Sequence, residues 1–197
     1  HNMTLGVNTF VRYIPSGKYA GQYQWIEGPM SMEYLDNKMQ IDGHEEHWQD
    51  NVQPYINDKG VNHINTPSNY NRVLSHLSNR KVYDFKNGDK PTKILKVQQL
   101  NVKKGKMWDV LMILNNWSKS DFSVEYSVLM PFVNDATGND ITIVWHFDSM
   151  SEADIWIPGV KRDGLDAAYG ENGRKKISKA WLDLVTLNGE FIAQLVE

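Results

Sequence analysis

The 197-residue chain contains no cysteine. Disulfides, thiolate zinc sites, cysteine-ligated iron–sulfur clusters and a cysteine nucleophile are therefore excluded. No apolar run approaches the roughly 18–20 residues of a membrane-spanning helix. No charge of one sign dominates: 21 Lys and Arg stand against 24 Asp and Glu, a formal net charge of -3. That balance gives no general pull toward nucleic acid or an anionic membrane, so neither is expected as a partner. There is no Gly-x-Gly-x-x-Gly, no P-loop and no Gly-x-Ser-x-Gly elbow. Nothing marks a dinucleotide, phosphate or hydrolase-elbow site, and no cofactor is implied. The compartment is left open.

What is present is ordinary globular composition. Hydrophobic residues make up 41% and charged residues 23%, which argues against wholesale disorder. His1-Asn2-Met3 reads as a processing remnant or the start of a cut chain, so His1 is set aside.

The C-terminal half has the clearer pattern. Residues 94–102 read as a strand, punctuated by Lys103-Lys104-Gly105-Lys106. Residues 107–117 are apolar nearly all round and suit a buried helix. Residues 124–133 and 141–147 alternate as two strands of a hairpin, joined by the turn-rich 134–140. Ser149 and Glu152 suit the start of a short helix. A helix follows near 174–185, with Ile177, Ala180, Trp181 and Leu184 on one stripe. Asn188-Gly189 then turns the chain into a last strand, 190–196. The order is β-α-β-β-α-β, the split unit of the ferredoxin-like fold.

The N-terminal half reads as an incomplete copy. Strands are expected at 4–14 and 21–27, with Pro15-Ser16-Gly17-Lys18 turning between them. Thr66-Pro67 suits a helix start, and Tyr70, Val73, Leu74 and Leu77 follow at helical spacing. A short strand is expected at 81–85. Trp25-Ile26-Glu27-Gly28-Pro29-Met30-Ser31 stands 120 positions before Trp145-His146-Phe147-Asp148-Ser149-Met150-Ser151, with Trp, Met and Ser shared. This suggests an internal repeat. A single undivided α+β domain is the alternative. The expected division is an incomplete unit at 4–86, lacking its first strand and helix, and a complete unit at 92–197.

This duplicated order resembles the dimeric α/β-barrel superfamily. The Trp145-His146-Phe147 strand running into Asp148-Ser149-Met150-Ser151-Glu152-Ala153 is similar to the strand-to-helix join common there. The resemblance rests on topology. It implies two ferredoxin-like units packed as a pseudo-dimeric α/β barrel of the α+β class. It also implies a range of functions: cofactor-free monooxygenases, haem-binding or haem-degrading proteins, small isomerases and ligand-binding regulators. Fold alone does not choose among them.

Two functional readings stay open. The first is a small-molecule-binding protein, with a cavity lined by Trp25, Trp145 and Met130 that takes a small apolar or aromatic molecule. The second is a cofactor-independent monooxygenase or isomerase. There His146, on the strand face opposite Ile143, Trp145 and Phe147, is the acid/base, with Asp148 or Tyr126 assisting. The second reading requires His146 to face a solvent-reachable cavity. His44 and His47 lie three apart but lack the His-Glu-x-x-His spacing, and a third ligand would have to come from His63 or His76, so no metal site is assigned. The missing strand and helix would leave a sheet edge open, and a homodimer is expected on that ground.

Overall fold

A computed structural model of the chain describes residues 8–31, 71–80, 88–120, 124–132, 138–155 and 169–196, with single positions at 33, 46, 49, 50 and 54. The elements are β1 (Asn8–Gly17), β2 (Tyr23–Gly28), β3 (Asn71–Val73), a 3-10 turn (Ser75–Leu77), β4 (Ile94–Val102), α1 (Met107–Ser118), β5 (Glu125–Pro131), β6 (Ile141–Phe147), α2 (Met150–Ile155), α3 (Gly173–Leu184) and β7 (Val185–Leu195). The class is α+β, as expected. The seven strands form one antiparallel sheet in the order β2-β1-β7-β4-β6-β5-β3, curled into a half-barrel. Strands from both halves of the chain share it. Among the described residues no helix is long and apolar enough to cross a membrane.

Alternation along the strands sorts residues to two faces. Ile94, Leu100, Tyr126, Val128, Ile141, Ile143, Trp145 and Phe147 build the face that packs against α1, with Val110 and Leu114 of that helix fully buried between them. The face away from α1 carries its own cluster: Ile14, Leu95, Val97, Val144, Phe191 and Ala193. Tyr19, in the turn after β1, sets its ring edge against Phe191 and donates its hydroxyl to Gln99 at 3.2 Å, closing one end of that cluster.

Three expectations are corrected. Of the expected helix from Thr66-Pro67 through Leu77, residues 66–70 lie outside the described residues, and the described residues 71–77 do not form an α-helix. Asn71–Val73 instead pairs antiparallel with Leu129–Pro131, and the Leu74 amide donates to the Val128 carbonyl. Leu77 still reaches the core, from a 3-10 turn. A free edge of β5 offered backbone partners that helical spacing alone could not reveal. The outer edge of β5 is then closed by Ser78 and Asn79, whose side chains accept from the Val128 and Tyr126 amides.

The second correction is the last strand, which starts at Val185. Asn188-Gly189 is a bulge inside it, opposite Gln99 and Leu100, and a side chain at Gly189 would displace the Lys18 side chain. Third, β1 runs through Pro15-Ser16-Gly17 before turning at residues 18–21. Gly17 has φ +96°, and a Cβ there would lie 2.3 Å from the Glu190 carbonyl, so only glycine fits. The expected strand at 81–85 and residues His44, His47 and His63 lie outside the described residues.

Burial of Leu114 makes it the test of the helix-side core. Leu114→Ala should lower unfolding free energy by about 2–5 kcal/mol in urea titration, because it leaves a cavity between α1 and the sheet.

Candidate functional site

Strand ends bring the candidate residues together at one end of the sheet. β4 begins there, after Thr92-Lys93, while β6 ends at Phe147 and β7 at Leu195. His146, near the end of β6, lies in register between Leu95 of β4 and Glu125 of β5, and its side chain projects from the face away from α1. It is buried, and both ring nitrogens have partners. Nδ1 is 3.2 Å from Thr92 Oγ1, and Nε2 is 2.9 Å from Ser127 Oγ. A neutral imidazole offers one donor and one acceptor, and two hydroxyls satisfy it in either tautomer.

Electrostatics favour that neutral form. Burial pushes the His146 pKa down from 6.5 to about 3, and the Arg80 and Arg12 guanidinium charges push the same way. Arg80 forms an ion pair with Glu125. Arg12 is itself buried, and its Nη2 donates to the Thr92 carbonyl at 2.7 Å and its Nη1 to the Lys93 carbonyl at 3.3 Å. His146 thus joins β5, β6 and the lead-in to β4 as an uncharged bridge.

Beside this bridge lies an open hollow of about 430 Å³, lined by Lys93, Ile94, Asp148, Ser149, Met150, Gln194 and Leu195. Asp148 and Ser149 are held by reciprocal capping at the start of α2. The Glu152 amide donates to Ser149 Oγ at 3.3 Å, and the Asp148 amide donates to Glu152 Oε2 at 3.0 Å.

The other expected residues fall elsewhere. Tyr126 lies directly opposite Trp145 on β5, so both occupy the helix side, away from His146. Its ring stands 5.2 Å from that of Trp145, and burial pushes its phenol above the usual range. The Trp145 indole donates to Gln98 Oε1 at 2.9 Å, and Gln98 donates in turn to Glu190 at 2.6 Å. Met130 packs on the same helix-side core. Trp25 is on β2, separated from β6 by β1, β7 and β4. The trio His146, Asp148 and Tyr126 is therefore divided between a buried face, an exposed rim and the opposite core. Among the described residues no three metal-ligating side chains converge.

Ser127, Thr92, Lys93 and Arg12 are the residues that sequence reasoning missed. Ser127 had a signal, since it occupies the polar phase of the alternation in β5. No family model matches the chain, and no curated protein matches it.

The pH dependence follows from the His146 shift. The unfolded histidine gains its proton near pH 6.5, whereas the folded one resists protonation down to about pH 3. Its contribution is fully present above pH 6.5 and is lost as pH falls from there toward 3, because the unfolded state binds the extra proton. Unfolding free energy of wild type should drop over that window by more than that of His146→Gln, a difference on the order of a few kcal/mol in urea titrations at each pH.

Proposed function

We propose that this chain is a small-molecule-binding protein whose ligand occupies the hollow at the sheet end. The observation that carries the reading is the hollow itself. Its 430 Å³ falls within the roughly 300–1,000 Å³ of small-molecule sites. Its wall sets Lys93, Asp148, Ser149 and Gln194 against Ile94, Met150 and Leu195. That mixture suits a small molecule with charged or hydrogen-bonding groups and a short apolar portion. A wholly apolar ligand would suit a Trp/Met cavity, and the separation of Trp25 from Met130 and Trp145 argues against that cavity.

The binding reading has more support than catalysis by His146. An acid/base working near neutral pH needs a group that titrates there, and burial between two hydroxyls keeps this imidazole neutral. We read the fold as a variation on the barrel of paired ferredoxin-like units. The order β7-β4-β6-β5 is the interleaved order of a β-α-β-β-α-β unit, and the β1–β2 hairpin extends it at β7, where a first unit would join.

A panel of amino acids, amino sugars and short carboxylates, followed by thermal shift and calorimetry, tests the reading. A binder should lose about 10–100-fold in affinity in Asp148→Ala, the cost of one charge-assisted hydrogen bond. Binding that is indifferent to both Asp148→Ala and Lys93→Ala would place the site elsewhere.

A further inference from the structure

We propose that Arg12 is a positioning residue for the hollow, fixing its wall from the N-terminal hairpin; this rests on the reading of the hollow as the ligand site. Arg12 belongs to β1 and does not line the hollow. Arg12 is only 2% exposed, and its guanidinium spans two consecutive carbonyls, those of Thr92 and Lys93. The Lys93 carbonyl also accepts the Leu195 amide at 2.8 Å, so one oxygen receives β1 and β7 together. The next amide, Val196, donates to the Val11 carbonyl at 2.9 Å. Lys93 and Leu195 are two of the residues that wall the hollow. Thr92, held by the same fork, presents its hydroxyl to His146.

A planar fork with several fixed donors matches two adjacent carbonyls, and a lysine ammonium does not reproduce that geometry. A carbonyl with two lone pairs accepts both of its donors at once. Thr92-Lys93 leads into β4, which begins at Ile94, and the Lys93 carbonyl takes the Leu195 amide of β7. Arg12 adds a side-chain clamp on both carbonyls of that dipeptide. Order in the wall of the hollow and docking of the β1–β2 hairpin are then linked through this side chain, beside the backbone pairing of β1 with β7.

Amide hydrogen exchange of ligand-free wild type, Arg12→Lys and Arg12→Met is the test. In Arg12→Lys the Leu195 and Val196 amides should exchange about tenfold faster, while Val97 and Val144, paired at the sheet centre, keep their wild-type rates. Arg12→Met should show a larger local increase; if it does not fold, Arg12→Lys decides alone. Unchanged Leu195 exchange, or an equal rise at Val97 and Val144, would overturn the proposal, the second by making Arg12 a contributor to global stability only. Because no ligand is used, failure here leaves the ligand test of the hollow standing, and failure to find a ligand leaves this result standing.

Discussion

The double pairing of β4 is the constraint on which the rest depends. Its backbone is bonded along its whole length to β7 on one side and along most of it to β6 on the other. A strand held on both edges cannot slip by one residue without moving every side chain to the wrong face. Leu95 and Val97 are thereby committed to the face away from α1, and Ile94 and Leu100 to the core under it. The same registration places His146 beside Leu95 and carries Gln98 to the Trp145 indole.

One end of this sheet differs from the rest. The face away from α1 carries the apolar cluster of Val97, Val144, Phe191 and Ala193, and near the start of β4 the chain buries Arg12, Thr92 and His146. Buried polar groups are costly unless they are hydrogen-bonded, and here the cost is met by geometry. Arg12 binds carbonyls, Thr92 joins His146, and His146 joins Ser127. With Arg12 and Arg80 nearby, a third positive charge on His146 would be opposed by repulsion as well as by desolvation. The imidazole is thus a spacer between strands, and an open hollow lies at the rim beside this network.

Much of the C-terminal half was legible because its signals are local. The alternation of Ile141, Ile143, Trp145 and Phe147 and the all-round apolarity of residues 107–117 specify their elements without outside help. Misreadings occurred where a distant strand decided the outcome. Val73 and Leu74 fit a helical stripe as well as a strand edge, and only the open side of β5 distinguishes them. Asn188-Gly189 has turn chemistry, yet pairing with β4 absorbs it as a bulge. His146 was legible as the unusual residue of its strand. Its partners were not, because Thr92 is 54 residues away in sequence and Ser127 is recognised only once β5 is registered against β6. Tyr126 and His146 looked compatible until that register put them on opposite faces.

The neutral state of the His146 bridge ties this end of the sheet together and is open to direct measurement. The direct measurement is an NMR pH titration of its imidazole nitrogens in the folded protein. A neutral bridge should give imidazole shifts that stay constant from about pH 8 to about pH 5. A midpoint near 6.5, the value of an unperturbed histidine, would contradict it and return His146 to consideration as an acid/base.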